Sequence, residues 1–347
     1  MYKPDFTISH KILSQIARIE AAVEVIKHAP VVPLWEKEFR HDAIVRQVYH
    51  GTHIEGNQLE LQDAKDILLG KDVVGRPRDV QEVINYRKVI DIIDDEYERQ
   101  VEKITEPLIL KLHRTIVEKI LPPESCGAYR TKTVTIRDAS TGEITFRPPE
   151  AMQVPFLMNQ FVYWLGMTPK DKMHPLLKAG LAHHEMVRIH PFADGNGRIA
   201  RIVATLVLVL GGYDMRRFFS LEEFYDKDAE SYYKALQAAS AGDYTTWLEY
   251  FTFGAAVEYD RVKEKILKLS QDVKLKTKMG GRQVFLTDRQ IKIVEYITDV
   301  GYIQNKMFSM LFPDVSDDTV LREVNELIEK GLIRKVGSTK GARYEIN

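Results

Sequence analysis

The sequence lacks several features that would place it in a restricted class of proteins. It has a single cysteine, Cys126, which excludes an intramolecular disulfide and fits a reducing compartment. The apolar run from Ile202 to Leu210 is far shorter than the about 20 residues of a membrane-spanning helix. A formal net charge of −1 argues against general attraction to nucleic acid or to an anionic membrane. We therefore expect a cytoplasmic protein with no membrane association.

The composition that is present fits a folded protein with more than one folding unit. Hydrophobic residues make up 44% of the chain and charged residues 29%, and 347 residues exceed the usual size of one domain. Helical periodicity dominates residues 1–270, which predicts a mainly α fold. The predicted helices are Ile12–His28, Asp42–Ile54, Asp79–Glu96, Ile104–Ile120, Ala151–Trp164, Pro175–Val187, a helix through Ile202–Leu210, Leu221–Ala239 and Tyr244–Ser270.

One stretch, residues 190–201, reads His-Pro-Phe-Ala-Asp-Gly-Asn-Gly-Arg-Ile-Ala-Arg and carries most of the chemistry. A glycine-rich turn that opens a helix offers free backbone N–H groups and the positive end of the helix dipole to an anion. Arg198 and Arg201 are three residues apart, so they share one face of that helix. Taken alone, each element is usually a packed loop, a turn or a solvated face. Their order ahead of an apolar helix favours a functional site.

This stretch resembles the signature of the Fic family, His-Pro-Phe-x-(Asp or Glu)-Gly-Asn-Gly-Arg-x-x-Arg, at every fixed position. The resemblance implies a protein adenylyltransferase, which transfers AMP from ATP to a Ser, Thr or Tyr hydroxyl of a target protein or of itself. It implies that His190 is the general base and that Asp194 binds Mg²⁺. The residues implied to bind the nucleotide are Gly195, Asn196, Gly197, Arg198 and Arg201.

A second stretch, residues 51–57, reads Gly-Thr-His-Ile-Glu-Gly-Asn and follows a helical pattern. A Glu-Gly pair at a helix end is ordinarily a solvated carboxylate before a capping glycine. Beside the first motif it resembles the Fic inhibitory motif, (Ser or Thr)-x-x-x-Glu-(Gly or Asn), which implies autoinhibition by Glu55 against Arg201. The chain departs from that motif because Gly51 stands where the family has a hydroxyl residue, and Thr52 is one residue late.

A hairpin is predicted at residues 131–147, where β-branched residues alternate on both sides of Asp138-Ala-Ser-Thr-Gly142. Such a pattern by default forms a small structural hairpin. The family resemblance implies instead a flap along which the target protein binds by strand-like pairing.

Residues 284–347 differ from the rest, because three helical patterns are followed by two short strand patterns. This order resembles a winged helix-turn-helix domain. Residues 287–347 contain nine Lys/Arg and ten Asp/Glu, whereas DNA-binding modules usually present a basic face. We therefore favour protein contacts or self-association over DNA binding.

Four segments follow from these patterns. They are an amino-terminal helical region with the inhibitory motif (1–100), a Fic catalytic core (101–270), a linker that contains a glycine pair (271–283) and the winged helix domain (284–347).

Other functions remain open on the sequence alone. Some Fic relatives transfer a phosphate, and others remove AMP with the inhibitory glutamate. A regulator whose Fic core only senses nucleotide would not need the base His190. Zinc binding by His183, His184 and His190 is disfavoured because their spacing fits no common zinc pattern.

Overall fold

The computed structural model describes residues 2–29, 33–101, 103–137, 142, 144–167, 173–213, 218–278, 286–313, 315–337 and 342–347. The chain divides into two compact units, Met1–Leu267 and Lys268–Asn347. Within the described ranges, no helix combines the length and the apolarity needed to cross a bilayer.

The first unit is helical, as the sequence predicts. Its helices are α1 (His10–His28), α2 (Pro33–His53), α3 (Leu61–Leu68), α4 (Pro77–Glu98), α5 (Glu106–Ile116), α6 (Val154–Met167), α7 (Pro175–Ile189), α8 (Asn196–Leu210), α9 (Glu222–Lys227), α10 (Ala229–Ser240) and α11 (Tyr244–Lys278), which continues into the second unit. Short 3₁₀ turns lie at Pro123–Ser125 and Ala151–Gln153.

Local chemistry explains where several of these helices begin. The Ser9 hydroxyl accepts the backbone N–H of Ile12 at the start of α1, and Thr105 caps α5 in the same way. Proline occupies one of the first two positions of α4, α5 and α7, where a missing N–H costs nothing. These are ordinary helix starts that the sequence already signals.

Helix α8 lies at the centre of the first unit. All residues from 198 to 209 are buried, and α8 packs against α7, to which the motif turn joins it. A helix buried on every side is normally apolar all round. Arg198 and Arg201 break that rule, and a buried guanidinium requires a partner. The centre of the fold therefore already marks these two arginines as unusual.

Several predicted boundaries differ from those observed. Helix α2 begins at Pro33 rather than Asp42, and α3 was not predicted. The predicted helix Leu221–Ala239 is two helices, because Asp228 leaves helical geometry and caps α10 through Ser231 N. Helix α11 runs to Lys278, so residues 271–278 of the expected linker are helical, and residues 279–283 lie outside the described residues.

The hairpin predicted at 131–147 is present but shorter than expected. Strand β1 (Ile136–Arg137) pairs antiparallel with β2 (Ile144–Phe146), with Ile136 opposite Phe146 and a register shift after it. Residues 132–135 are not in a strand, and residues 138–141 and 143 lie outside the described residues. The register shift lies within the ladder, between Ile136 and Arg137, as a β-bulge or irregularity does.

The second unit has its own apolar core. Its elements are α12 (Asp288–Val300), a 3₁₀ turn (Asn305–Met307), α13 (Phe308–Leu311), α14 (Asp317–Glu329) and the antiparallel strands β3 (Ile333–Val336) and β4 (Arg343–Ile346). Thr287 caps α12 and Tyr344 in β4 also bridges to Ile303. The order matches the predicted helices and strands, and assignment to the winged helix class remains a prediction. The core residues include Ile293, Ile297, Phe308, Val324, Leu327 and Tyr344.

Candidate active site

His190 ends α7 in a left-handed conformation, with φ of 50°. Residues other than glycine seldom adopt this geometry, and it turns the chain sharply from α7 into the motif turn. The His190 Nδ1 atom lies 3.3 Å from the Val187 carbonyl oxygen, which can only accept, so Nδ1 carries the proton. Burial lowers the pKa of His190, although the Val187 carbonyl opposes this shift. The imidazole is therefore neutral near pH 7, with Nε2 free to accept a proton.

Gly195 and Asn196 shape the start of α8. Gly195 has φ of 78°, a left-handed geometry that suits glycine, and it precedes the first residue of the helix. The Asn196 side chain accepts the Phe192 N–H at 2.9 Å and donates to the Phe192 carbonyl at 2.9 Å. Asn196, predicted among the nucleotide-binding residues, thus uses its side chain to brace the turn, and its backbone remains at the helix start.

Asp194 is the carboxylate of the motif turn, and its side chain is 36% exposed. Its Oδ1 accepts the Gly195 N–H at 2.6 Å, and its Oδ2 accepts from Arg78 Nη2 at 2.8 Å. Burial would raise the pKa of Asp194, but Arg198, the Gly195 N–H and Arg78 together lower it. The group is therefore ionised at neutral pH.

His113 on α5 stabilises the motif turn through hydrogen bonds and ring stacking. The Gly127 N–H donates to His113 Nδ1 at 3.0 Å, so Nε2 carries the proton and donates to the Asp194 carbonyl at 3.1 Å. The ring stacks on Phe192 with a centroid distance of 3.7 Å. Burial lowers the pKa of His113 to about 4, which keeps this bridge neutral at pH 7.

Arg198 is held by acidic groups although its side chain is only 1% exposed. Its Nη1 donates to Glu82 Oε1 of α4 at 3.2 Å, and its Nη2 lies 3.5 Å from Asp194 Oδ1. Glu82 also accepts from Arg78 Nε at 3.1 Å and from Asn57 Nδ2 at 3.0 Å. One buried carboxylate therefore joins the motif helix to α4 and to the chain that follows Glu55.

Arg201 contacts the residue that the inhibitory motif indicates. Its Nη2 donates to Glu55 Oε1 at 2.8 Å and to the Gly51 carbonyl at 3.0 Å. Glu55 follows the end of α2 in a turn closed by Gly56, which has φ of 90°. A Cβ atom added at Gly197 would overlap Glu55 Oε1. The glutamate thus lies directly over the first turn of α8.

Gly51, where the chain departs from the inhibitory motif, has a structural explanation. A Cβ atom at this position would lie 2.6 Å from the ring of Tyr86 on α4. Tyr86 is fully buried and its hydroxyl donates to Glu222 at 3.1 Å. The Thr52 hydroxyl instead donates within α2, to the carbonyls of Val48 and Tyr49. Glycine is required because α2 and α4 approach so closely here.

Arg130 anchors the base of the hairpin to the motif. Its Nε donates to the His190 carbonyl at 2.8 Å and its Nη1 to the Lys132 carbonyl at 3.0 Å. Its Nη2 donates to the Pro149 carbonyl, and its backbone N–H to the Pro191 carbonyl at 2.9 Å. The predicted flap therefore begins and ends beside His190.

Two other predicted features lie elsewhere. His183 and His184 are buried on α7, where their Nε2 atoms lie within hydrogen-bond distance of Tyr232 and Ser240 respectively. Cys126 Sγ contacts backbone carbonyls near the end of α5.

Sequence reasoning missed four residues that organise this site, namely Arg78, Glu82, His113 and Arg130. They lie between 60 and 116 positions from their partners in the motif. No local pattern indicates them, because their role depends on how α4 and α5 pack against the motif.

Part of the chain around this site is similar to a known family of proteins. Residues 103–208, from just before α5 through most of α8, match the Fic/DOC family. The matched segment contains the motif turn and the start of α8. A Fic family protein from Desulfovibrio desulfuricans G20 has a similar structure, with a TM-score of 0.67, 25% identity, and coverage of 100% of this chain and 98% of that chain.

Curated proteins are also similar to this chain in sequence. The protein adenylyltransferase Fic of Culex quinquefasciatus is 26% identical over 278 residues, which cover 79% of this chain and 53% of the relative. That of Aedes aegypti is 30% identical over 209 residues, which cover 60% of this chain and 39% of the relative. Fic-1 (residues 134–508) from C. elegans has a TM-score of 0.60 at 24% identity, over 76% of this chain and 73% of that chain. The chain spans about half or less of the length of these curated relatives.

Proposed function

We propose that this chain is a protein adenylyltransferase that moves AMP from ATP to a Ser, Thr or Tyr hydroxyl. The observation that carries the proposal is the geometry of the motif turn. A neutral histidine with a free Nε2 stands at one end of the turn, and two buried arginines stand at the other. The curated relatives that share the domain are named protein adenylyltransferases.

His190 acts as the general base in this proposal. The target hydroxyl oxygen forms a bond to the α-phosphorus of ATP, and the bond from that phosphorus to the pyrophosphate oxygen breaks. The hydroxyl proton passes to His190 Nε2, and pyrophosphate leaves with its negative charge. Arg130 holds the backbone carbonyl of His190, and the Val187 carbonyl holds the ring through Nδ1, so Nε2 and not Nδ1 receives the proton.

The two arginines and the start of α8 hold the phosphates. Their Nε atoms are buried and have no hydrogen-bond partner in the described part of the chain, as expected where an anionic ligand completes the site. A guanidinium in a dry environment neutralises phosphate charge more strongly than one in water. The Gly195 to Gly197 backbone at the helix start adds N–H donors and the helix dipole.

Asp194 is the residue that would hold Mg²⁺. Its donor chemistry fits, because it offers an ionised, partly exposed carboxylate and Mg²⁺ usually takes one or two carboxylates with phosphates and water. When bound, the ion supplies further neutralisation of the phosphate charge. The chain's own part is to hold this carboxylate in place through the Gly195 N–H and His113.

Glu55 restrains the site in this proposal. It occupies Arg201 with a charge-assisted hydrogen bond, and a phosphate oxygen needs the same donors. Its carboxylate also lies over Gly197, so it repels an anion at the start of α8. Removing Glu55 should therefore expose the arginine and raise transfer.

The target protein is proposed to bind along residues 131–147. The support is that Arg130 joins both ends of this hairpin to the His190 turn. A strand-like segment of the target that pairs beside β1 would bring its hydroxyl near the base. For the second unit we propose protein contacts, because five acidic residues of α14 oppose Arg322 and the adjacent Lys330.

The test is incubation of the Glu55→Gly protein with Mg²⁺ and either α-labelled or γ-labelled ATP. AMP transfer predicts that protein retains the α label and not the γ label. Retention of the γ label alone would show phosphate transfer and overturn the proposal. Loss of a pre-attached AMP label in wild type, dependent on Glu55, would favour AMP removal.

The matched control is Glu55→Gly combined with His190→Ala. General bases typically contribute about 10²- to 10⁴-fold in rate, so the α label should fall by at least two orders of magnitude. His184→Ala has no contact with the motif turn among the hydrogen bonds described, and it controls for loss of a buried imidazole. Equal labelling with and without His190 would contradict its role as the base.

A further inference from the structure

Arg78 contacts the carboxylate that the proposed function assigns to Mg²⁺. It is the second residue of α4, and its Nη2 donates to Asp194 Oδ2 at 2.8 Å. The other end of the same guanidinium is fixed, because Nε donates to Glu82 Oε1 at 3.1 Å. A guanidinium of the chain itself thus neutralises the motif carboxylate from a helix 116 positions away.

Both oxygens of Asp194 are engaged in this arrangement. Oδ1 accepts the Gly195 N–H at 2.6 Å and lies 3.5 Å from Arg198 Nη2, so the motif itself uses that atom. Oδ2 is the atom that Arg78 takes. A divalent cation bonds directly to a carboxylate oxygen, so an oxygen that already accepts from a guanidinium must first be released.

We infer that Arg78 is an internal cation that competes with Mg²⁺ for Asp194 Oδ2. The inference rests on the proposed metal-binding role of Asp194. The apparent metal affinity is then the intrinsic affinity reduced by the fraction of molecules in which Arg78 has moved away.

The exposure of the pair makes this exchange feasible. The Arg78 side chain is 58% exposed and that of Asp194 36%, so both reach water. Ion pairs of this kind contribute little free energy, because water and salt compete for both partners. A metal ion can therefore displace Arg78 without disrupting the packing of α4.

The Arg78 contact is separate from the one made by Glu55. Glu55 lies in the turn that follows α2 and binds Arg201, whereas Arg78 belongs to α4 and binds Asp194. If Arg78 moves, Glu82 keeps Arg198 and Asn57 as partners. The motif would therefore be restrained at two places. Glu55 would occupy the phosphate-binding Arg201, and Arg78 would occupy the metal-binding Asp194.

The test is Mn²⁺ binding without nucleotide, followed by the electron paramagnetic resonance signal of free Mn²⁺. Wild type, Arg78→Gln, Arg78→Lys, Arg76→Gln and Asp194→Ala are compared at low ionic strength. Arg76 is the matched control, since it is a similarly exposed arginine beside α4 that pairs with Asp79 instead. Arg78→Gln should bind Mn²⁺ about twofold to fivefold more tightly, the range expected for an exposed pair. Arg78→Lys should lie between wild type and Arg78→Gln.

Three results would overturn the inference. They are equal binding by wild type and Arg78→Gln (including no binding by either), an equal gain in Arg76→Gln, and unchanged binding in Asp194→Ala. The first two leave the proposed transferase untouched, because the labelled-ATP assay is run separately in the Glu55→Gly protein. The third also removes Asp194 from the proposed site.

Discussion

The ion pair between Glu55 and Arg201 and the pair between Arg78 and Asp194 both restrain residues 190–201, but they differ in burial. Arg201 is 1% exposed and Glu55 24%, whereas Arg78 is 58% exposed and Asp194 36%. A charge-assisted bond to a buried guanidinium is costly to break, because the guanidinium cannot turn to water. An exposed pair is weak and easily exchanged. Under the proposed function, the motif thus combines a strong restraint on phosphate binding with a weak restraint on metal binding.

The largest effect is expected when the buried pair is removed by Glu55→Gly. The quantity to measure is the free energy of unfolding. The variant leaves the buried Arg201 with only neutral partners, the Gly51 carbonyl and the Tyr86 and Tyr232 hydroxyls, among the described residues, and should lose about 1.5–3 kcal/mol. Glu55→Gln keeps an acceptor of the same length and should lose less. The variant that is proposed to be more active should therefore be the less stable one. Equal stability of wild type, Glu55→Gly and Glu55→Gln would contradict a stabilising bond between Glu55 and Arg201.

Gly51→Ser tests whether the position of Glu55 over Arg201 depends on the close approach of α2 and α4. It restores the residue type of the family motif, yet its Cβ would overlap the Tyr86 ring. Overpacking of this kind costs about 1–3 kcal/mol, so we expect a lower unfolding midpoint. Combining it with Tyr86→Ala should cost less than the sum of the two single changes. Additive losses, or a more stable Gly51→Ser protein, would contradict the packing explanation.

Arg78→Gln tests the exposed ion pair between Arg78 and Asp194. Because the pair is exposed, its loss should change the free energy of unfolding by less than about 1 kcal/mol, and the change should shrink as salt is added. Urea unfolding at two NaCl concentrations measures both effects. A loss as large as that of Glu55→Gly would show that the two pairs do not differ as their burial indicates.

The pH dependence of transfer should show the smallest effect. Burial lowers the pKa of His190, so the neutral base persists at more acidic pH, and transfer should fall only below pH 6.5, the ordinary imidazole value. Glu55 opposes this shift, because its negative charge raises the pKa of His190, so the acidic limb in Glu55→Gly should lie lower than in wild type. Initial rates between pH 5 and 8 at constant ionic strength measure this. A limb above 6.5 would contradict a neutral buried base.

The sequence was sufficient for the parts of the fold that depend on local pattern. The mainly helical class, the hairpin, the carboxyl end of α1 and the amino end of α7 follow from periodicity and capping. Helix α3 was missed because it is short and its N-cap residue, Glu60, is not a usual cap. The early start of α2 at Pro33 was missed as well, since its apolar pattern begins only later.

The residues of the site also divide into those that the sequence indicates and those that only the packing shows. Glu55 and Arg201 could be paired from two motifs because a family resemblance supplied the long-range contact. Arg78 and Glu82 carry no such signal, because a salt bridge near the start of α4 looks like any solvated helix face. In the sequence, Gly51 is a departure from the inhibitory motif that has no explanation. Only the position of the Tyr86 ring shows why a side chain does not fit there.

The central claim is that Glu55 occupies Arg201 and thereby limits transfer. The most direct measurement is the initial rate of α-label incorporation from ATP by wild type and by Glu55→Gly at equal protein and Mg²⁺ concentrations. A charge-assisted bond worth about 1.5–3 kcal/mol predicts a rate about 10- to 100-fold higher in Glu55→Gly. Equal rates in the two active proteins would contradict the claim.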